Sequence, residues 1–456
     1  MKPNHSDTIV AQATASGRGG IGIVRLSGKT AKSIGEKITQ KNFSERVAEF
    51  TCFYDEKNNV IDQGIILYFQ HPHSFTGEDV VELQAHGSSV VLDQLIKTAL
   101  HFGARMANPG EFSLRAFLNK KIDLAQAESI CDLINAQSER AAQSAVRSLQ
   151  GEFSQKIKIL QTAITQLRMH VESAIDFPEE EIDFLSDSRI TELLQKTIDD
   201  ILTVKNQAKQ GALLQSGLQI VIAGKPNVGK SSLLNYFSGR DSAIVTSIPG
   251  TTRDSLRESI NLDGLTLHII DTAGLRETDD VIEQEGMKRA HAHIAQADLI
   301  LLVINAAETA SISPLEIKKI IAQENKPILL IKNKIDLTNE KPEIILHNDY
   351  INDYIEVKIS VEKKYGLELL ISALKKFAGF QTNDTDSFIA RRRHVDAISR
   401  ATYFLLQGQS ELKNHHAGEL LAEDLRQAQL ALSEITGEFS SDDLLGEIFS
   451  TFCVGK

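Results

Sequence analysis

The segment Gly224 to Ser231, GKPNVGKS, restricts the fold of this chain more than any other feature. It matches the phosphate-binding loop pattern and follows the apolar run Leu218 to Ala223, as expected for a strand that ends in such a loop. Its glycines let backbone N–H groups converge on phosphates at a helix N-terminus, Lys230 neutralises β- and γ-phosphate charge, and the Ser231 hydroxyl binds Mg²⁺. The segment therefore predicts a nucleotide-binding α/β domain.

Two later motifs indicate which nucleotide is bound. Asp271-Thr272-Ala273-Gly274 ends the run Leu265 to Ile270, where a carboxylate can hold Mg²⁺ through water and a backbone amide can sense a γ-phosphate. Asn333-Lys334-Ile335-Asp336 follows the run Pro327 to Lys332, and its aspartate can accept both the N1–H and the 2-amino protons of guanine, which adenine cannot offer. The motifs predict GTP rather than ATP. The predicted GTP-binding residues are Asn227, Val228, Gly229, Lys230, Ser231, Ser232, Thr246, Ser247, Ile248, Pro249, Gly250, Thr251, Thr252, Asp271, Thr272, Ala273, Gly274, Asn333, Lys334, Ile335 and Asp336.

Hydrolysis needs groups that the small signalling GTPases supply differently. Leu275 stands where those proteins carry a water-orienting Gln, so Glu283 is the candidate for that role, with a surface carboxylate as the alternative reading. No arginine finger is recognisable from spacing, and the Asn227 side-chain oxygen with carbonyls of the loop Thr246 to Thr251 could hold a monovalent cation such as K⁺ in its place. Thr252 is predicted to join Ser231 as an Mg²⁺ ligand.

The rest of the chain divides into segments of different periodicity. Residues 1–120 mix short strand-like runs with helical stretches and predict an α+β domain. Residues 121–215 and 379–456 carry apolar residues at three- and four-residue spacing and predict one helical bundle. Between them, strand-like runs alternate with helices over 216–378, which favours an inserted domain with a mainly parallel sheet. The expected fold class is therefore multidomain α/β plus α.

Composition limits the kinds of partner. No apolar run approaches the ~18 residues of a membrane span, and three cysteines are too few for a disulfide framework, so we expect a cytoplasmic protein without a membrane partner. The net charge of −12 argues against a protein that grips nucleic acid with its whole surface. The basic run Arg391-Arg392-Arg393-His394 is interpreted as a solvated helix start, with a phosphate contact as the alternative.

Several segments resemble the MnmE (TrmE) family of tRNA-modification GTPases, and together they span essentially the whole chain. They are residues 7–28 (DTIVAQATASGRGGIGIVRLSG), 74–87 (SFTGEDVVELQAHG), 108–128 (NPGEFSLRAFLNKKIDLAQAE), 224–235 (GKPNVGKSSLLN) and 432–456 (LSEITGEFSSDDLLGEIFSTFCVGK). The terminal Cys-x-Gly-Lys and the PGEF segment are far more specific than the phosphate loop, which indicates only a P-loop NTPase.

The resemblance implies chemistry that spacing alone does not show. It implies an N-terminal domain that forms a homodimer and binds a reduced folate, 5-formyl- or 5,10-methylene-tetrahydrofolate, through Arg25, Glu82, Lys121 and Lys456. Without it, Arg25 and Glu82 read as a surface ion pair. It also makes Asn227, Thr246, Ile248 and Thr251 the K⁺ ligands and Glu283 the residue that orients water, beside Lys230 in catalysis. The partner implied is the flavoprotein MnmG (GidA), which would bring FAD and NADH in a heterotetramer or larger complex that modifies C5 of the wobble uridine of certain tRNAs with a carboxymethylaminomethyl or aminomethyl group.

Three questions stay open at this point. Cys453, three residues before the last residue given, suits either a catalytic or a folate-side role. Ser360-Val361 stands where a Ser-Ala pair usually contacts guanine, and its backbone amide could serve. A regulatory or ribosome-assembly GTPase is the alternative function, and a folate-dependent methyltransferase acting alone is a further one.

The run Gly17 to Gly22 precedes a predicted strand instead of following one, so it is not a dinucleotide-binding fingerprint.

Overall fold

The computed structural model describes residues 7–176, 188–239, 257–262, 265–271, 297–311, 326–349, 352–378, 388–415, 417–438, 442–452 and 454–455. These residues fall into two compact units. The first unit takes its residues from 1–131, 149–195 and 403–456, and the second takes them from 132–148 and 196–402.

The first unit contains a sheet of order β3-β4-β5-β2-β1-β6, in which β1 and β6 are parallel and the other neighbours antiparallel. Its strands are β1 (Ile9–Gln12), β2 (Gly19–Ser27), β3 (Glu49–Tyr54), β4 (Val60–Phe69), β5 (Val80–Gly87) and β6 (Arg105–Met106). The helices beside it are α1 (Ala31–Thr39), α2 (Ser89–His101) and α3 (Glu111–Leu118). One sheet face packs on α1 and α2 through buried side chains that include Leu26, Ile34, Phe53, Leu83 and Leu95.

Long helices follow, as the three- and four-residue periodicity predicts. They are α4 (Leu124–Ile134), α5 (Glu139–Leu149), α6 (Glu152–Asp176) and α7 (Ser188–Ser216), and towards the C-terminus α10 (Arg392–His415), α11 (Gly418–Thr436) and α12 (Asp442–Ser450). In the first unit α6 packs along α11, and the Gln161 side chain donates a buried hydrogen bond to Ser433 Oγ at 3.0 Å. Segments far apart in the chain therefore pack together within the first unit.

The second unit contains a sheet of order β12-β13-β11-β10-β7-β9-β8. Its elements are β7 (Leu218–Ala223), α8 (Lys230–Ser238), β8 (Arg257–Leu262), β9 (Leu265–Asp271), β10 (Leu299–Asn305), β11 (Ile328–Asn333), β12 (Glu343–Asp349), β13 (Asn352–Lys358) and α9 (Leu367–Phe377), with 3₁₀ helices at Ala306–Ser311 and Ile335–Leu337. The strands from β13 to β9 are parallel, and β12 and β8 are antiparallel at the two edges. The predicted mainly parallel sheet is confirmed.

Both faces of this sheet are covered. Along β10, Leu299, Leu301 and Val303 belong to one buried cluster, whereas Ile300 and Leu302 belong to another. Alternate side chains of a strand point to opposite faces, so a continuous apolar run is what a doubly covered parallel sheet requires. The nucleotide loops are thus carried by strands that packing fixes on both sides.

The division into units does not follow the predicted chain boundaries. Composition places boundaries near 120, 215 and 378, whereas α7 and α10 each run unbroken from one unit into the other. Periodicity shows where a segment is helical but not where along a continuous helix its packing partners change. The four-part division 1–120, 121–215, 216–378 and 379–456 stays a prediction.

Candidate functional site

The phosphate-binding loop lies between the end of β7 and the first turn of α8, and two of its glycines are required by close neighbours. Gly224 has φ +145°, and a Cβ there would lie 2.2 Å from the carbonyl oxygen of Val303. Gly229 has φ +103°, and a Cβ there would lie 2.2 Å from Asn333 Nδ2. Neither position has room for a larger residue, and both backbones adopt a conformation that glycine favours.

The charged and polar side chains of the loop are accessible. Lys230 Nζ donates to the carbonyl oxygens of Gly224, at 2.6 Å, and Lys225, at 2.8 Å. Ser231 and Ser232 are exposed in the first turn of α8. Asn227 is exposed with φ +63°, and its carboxamide makes no hydrogen bond within the described part of the chain. The loop therefore presents an ammonium group, hydroxyls and a free carboxamide oxygen.

The Asn-Lys-x-Asp motif is joined directly to this loop. Asn333 is buried, its Nδ2 donates to the Val228 carbonyl oxygen at 2.8 Å, and its Oδ1 accepts the Val361 N–H at 3.1 Å. Lys334 Nζ donates to the Asn227 carbonyl oxygen at 2.7 Å. Asn333 and Lys334 thus fix the loop that would hold phosphates relative to the segments that would hold a base.

Asp336 holds an acceptor that no described residue engages. Its Oδ1 is buried and has no hydrogen-bond partner among the described residues. A buried acceptor without a donor is costly, and a ligand that supplies an N–H would satisfy it. The Val361 N–H, which the sequence offered as a possible base contact, is taken by Asn333, and the buried Ser360 pairs its backbone with Tyr365.

The remaining nucleotide residues are only partly placed. Asp271 ends β9 and is in register with Ile222 of β7, beside the strand that leads into the phosphate loop. Several predicted residues lie outside the described ranges, and they are Thr246, Ser247, Ile248, Pro249, Gly250, Thr251, Thr252, Thr272, Ala273, Gly274, Glu283, Cys453 and Lys456.

The residues predicted to hold folate lie in the first unit. Arg25 of β2 and Glu82 of β5 are directly opposite in the sheet and form an ion pair at 2.9 Å, with both side chains partly exposed. The Arg25 guanidinium lies over the Phe112 ring, 5.8 Å from its centroid, a contact that sequence spacing does not reveal. Lys121 is exposed and donates from Nζ to the Pro72 carbonyl oxygen at 3.0 Å. Arg25 and Lys121 are cations suited to an anionic ligand.

A buried charge cluster anchors α3, the helix that carries Phe112. Arg115 forms ion pairs with Asp7, Glu78 and Glu111 at 2.9, 3.0 and 3.0 Å, and Arg105 pairs with Glu111 at 2.6 Å. Burial by itself raises the pKa of Glu111, but hydrogen bonds from Arg105, from the Asn108 N–H and from Arg115 outweigh burial and hold this pKa below its usual value. Glu111 is therefore ionised and fully paired at neutral pH.

The C-terminal segment is packed against the N-terminal part of the same unit. Phe449 and Phe452 are buried with Leu124 and Ala127. Gly455 has φ +95°, and a Cβ there would lie 2.1 Å from the Gln12 carbonyl oxygen. Gly455 is thus held beside β1, whereas Phe452 lies against α4.

Comparison with known proteins decides the family. The model of the MnmE helical domain matches residues 124–453, and the model of the GTP-binding protein TrmE N-terminus matches residues 8–121. Proteins called tRNA modification GTPase MnmE are similar over their whole length: that of Coxiella burnetii is 57% identical over 99% of both chains. The chain belongs to the MnmE family of tRNA-modification GTPases. That of Vibrio parahaemolyticus is 53% identical over 99% of this chain and 100% of its own. Membership in the family confirms the predicted resemblance and the prediction of a GTPase.

Solved structures of GTPases align with part of the chain. The G domain of the Thermotoga maritima FeoB iron transporter is 24% identical over 35% of this chain and 98% of its own, with a TM-score of 0.25. Aquifex aeolicus Era bound to GDP and aluminium fluoride is 24% identical over 41% of this chain and 66% of its own, with a TM-score of 0.26.

Within the described residues, no helix is both long and apolar enough to cross a bilayer.

Proposed function

We propose that this chain is a K⁺-activated, Mg²⁺-dependent GTP hydrolase that modifies the wobble uridine of certain tRNAs together with the flavoprotein MnmG. The relatives are called tRNA modification GTPases, which supports tRNA as the substrate of the complex. The proposal includes a cytoplasmic homodimer that forms a heterotetramer or larger complex with the flavoprotein.

The unpaired Asp336 Oδ1 is the observation that carries the guanine assignment. Asn333 and Lys334 hold this aspartate in fixed relation to the phosphate loop through Val228 and Asn227. A carboxylate accepts from both N1–H and the 2-amino group of guanine, whereas adenine presents no donor at either position. GTP would therefore be selected by completing a hydrogen bond that the described residues leave open.

The phosphate end of the site fits a divalent and a monovalent cation. The Ser231 hydroxyl and Thr252 would hold Mg²⁺, with Asp271 acting through water, and hydroxyl and carboxylate oxygens are the ligands this ion prefers. The Asn227 carboxamide oxygen, which no described residue engages, would hold K⁺ with Thr246, Ile248 and Thr251. Each cation would neutralise charge on the phosphates. Lys230 binds β- and γ-oxygens, and Glu283 orients the attacking water.

The second part of the proposal is that the first unit binds folate. Arg25, Glu82, Lys121 and Lys456 would bind a reduced folate, 5-formyl- or 5,10-methylene-tetrahydrofolate, which provides a one-carbon unit for C5 of uridine. The Arg25 guanidinium is oriented by Glu82 on one side and by Phe112 on the other, as a preorganised anion contact requires. FAD and NADH belong to the partner. Cys453 serves either in catalysis or beside the folate.

Exchange of the base-contacting acceptor tests the guanine assignment. The Asp336→Asn variant replaces one acceptor by a donor, which clashes with the 2-amino group of guanine but matches the 2-oxo group of xanthine. We expect GTP hydrolysis at limiting substrate to fall by about 10²-fold or more and XTP hydrolysis to rise above that of the parent. Equal loss with both nucleotides would show that Asp336 only supports the fold, and unchanged GTP selectivity would refute its role.

A further inference from the structure

Two arginines of the basic run at the start of α10 are engaged in ion pairs. Arg391 contacts Asp132 through Nη2 at 2.8 Å and Nε at 3.2 Å. Arg392 contacts Asp298 through Nη2 at 2.8 Å. Asp132 lies near the end of α4 and Asp298 immediately before β10. Arg391, just before α10, and Arg392, its first residue, therefore contact a helical segment and the residue that precedes a strand of the sheet. The run does start a helix, as predicted, and the Arg392 side chain is exposed, but both arginines also form ion pairs.

Asp298 is itself part of the sheet. Its Oδ2 accepts the Gln219 N–H at 3.0 Å, and its own N–H donates to the Gln219 carbonyl oxygen at 2.9 Å. These bonds join the N-terminal ends of β7 and β10, which are parallel neighbours. The nucleotide loops follow the opposite, C-terminal ends of those strands. Arg392 therefore contacts the sheet at the end opposite the nucleotide loops. A small rotation of the sheet about this contact produces a large displacement of the loops.

The helical side of this contact is rigid. Ser148 Oγ accepts the Ile389 N–H and donates to the Ile389 carbonyl oxygen, both at 2.9 Å. Phe388 and Ala390 are buried, and a Cβ on Gly211 would lie 2.3 Å from the Phe388 carbonyl oxygen. The segment that leads into α10 is thus fixed on α5 and α7, so the backbone that carries Arg392 is held in place.

An open pocket lies at the junction of the helices and the sheet. A cavity of about 160 Å³ lies where both chain crossings between the helices and the sheet pass, at Gly217 and Ile389, and Gln215, Thr266 and His268 also line it. Protein interiors are otherwise close-packed and transmit strain without yielding. The Arg392 side chain is 60% exposed, and an ion pair that water and salt can reach is weak and reversible.

We propose that Arg392 and Asp298 are positioning residues that set the orientation of the GTPase sheet on the helices. The pair joins a rigid helical anchor to the foot of the phosphate-loop strand beside an open junction. No arginine finger is recognisable from sequence spacing, so in the proposed dimer hydrolysis would depend on how the loops are presented to the other protomer. That functional consequence rests on the proposed K⁺-activated dimer, whereas the orientation does not.

Distance measurements on the full chain test the proposal. Cys52, Cys131 and Cys453 are replaced by Ser, and spin labels are attached through Asn206→Cys on α7 and Leu346→Cys on β12, both exposed. We expect Arg392→Ala to broaden the distance distribution and Arg392→Lys to retain it. Asp298→Asn keeps the acceptor for Gln219 but loses the charge, so it should broaden the distribution equally. It should add nothing to Arg392→Ala, because both remove one contact. Lys413→Ala, which removes a charge from the same helix elsewhere, is the control.

Hydrolysis is measured on the native-cysteine chain. We expect kcat of Arg392→Ala to fall by about tenfold with KM for GTP unchanged, since the phosphate loop is intact and only its presentation changes. Altered spin-label distances with an unchanged kcat would overturn the link between sheet orientation and hydrolysis. The guanine assignment, which the Asp336→Asn variant tests, would be unaffected. Identical distributions in the parent, Arg392→Ala and Asp298→Asn would overturn the proposal altogether.

Discussion

Asn333 donates a hydrogen bond from Nδ2 to the Val228 carbonyl oxygen at 2.8 Å, across 105 residues of chain. The contact joins the base-recognition motif to the phosphate loop. It also explains Gly229, because any Cβ at that position would overlap the same Nδ2 atom. The two motifs form one rigid platform.

Removal of the Asn333 carboxamide should disrupt this platform. Asn333→Ala leaves the Val228 carbonyl oxygen and the Val361 N–H without their partner in a buried place, which costs about 1–3 kcal/mol. We expect GTP affinity, measured by calorimetry, to fall by about tenfold or more. Lys341→Ala, an exposed change in the same region, should bind GTP as the parent does. Equal affinities for Asn333→Ala and the parent would contradict the structural role of this bond.

The buried charge cluster of the first unit predicts a specific acid sensitivity. The pKa of Glu111 is lower in the folded chain than its usual 4.5, so its contribution to stability is complete above that pH. This contribution is lost as pH falls from 4.5 through the folded pKa. The pKa of Asp7 is lowered in the same way: burial raises it, but Arg105 and Arg115 outweigh burial. We expect the free energy of unfolding of the first unit to decrease over this range.

Glu111→Gln is the variant that tests the acid sensitivity. It leaves Arg105 and Arg115 partly unpaired, and removing one partner of a buried ion pair costs about 3–5 kcal/mol. Stability at neutral pH should fall by that order, and the slope of stability against pH below 4.5 should flatten. Denaturant titrations at several pH values measure both. A slope equal to that of the parent would show that Glu111 does not titrate differently in the folded state.

The close contact of Gly455 with Gln12 predicts that a substitution at Gly455 weakens folate binding without stopping GTP hydrolysis. Gly455→Ala places a Cβ 2.1 Å from the Gln12 carbonyl oxygen. It also forces a left-handed conformation that costs an L-residue roughly 1–2 kcal/mol. The end of the chain should leave β1, so binding of 5-formyltetrahydrofolate, followed by calorimetry, should weaken while GTP hydrolysis continues. Val454→Ala, at an exposed neighbour, should preserve both. Parental folate affinity in Gly455→Ala would remove the tail from the proposed folate site.

The sequence predicts the interior of the nucleotide sheet well and its edges poorly. Apolar runs such as Leu218 to Ala223 and Leu299 to Asn305 coincide with β7 and β10, because strands buried on both faces need continuous apolar residues. The edge strands β8 and β12 of this sheet were not predicted, and neither was β3 at the edge of the sheet in the first unit. They mix polar and apolar residues, and their pairing depends on neighbours that periodicity does not show.

Prediction from sequence is limited in the same way at the candidate sites, where the contacts join residues that are distant in the chain. Arg25 and Glu82 do form the ion pair that their types suggest, but the position of Phe112 beneath Arg25 follows only from the fold. Arg391 and Asp132 are 259 residues apart, and no local pattern connects them. Motifs therefore predict which chemistry is present, whereas the contacts that orient each group require the structure.

The rate of GTP hydrolysis in KCl and in NaCl at matched ionic strength tests the central claim most directly. Asn227 presents a carboxamide oxygen that no described residue engages, and we assign that oxygen to K⁺. We predict much faster hydrolysis in KCl and loss of that advantage in Asn227→Ala, with Mg²⁺ and GTP present throughout. Equal rates of the parent chain in the two salts would contradict the account.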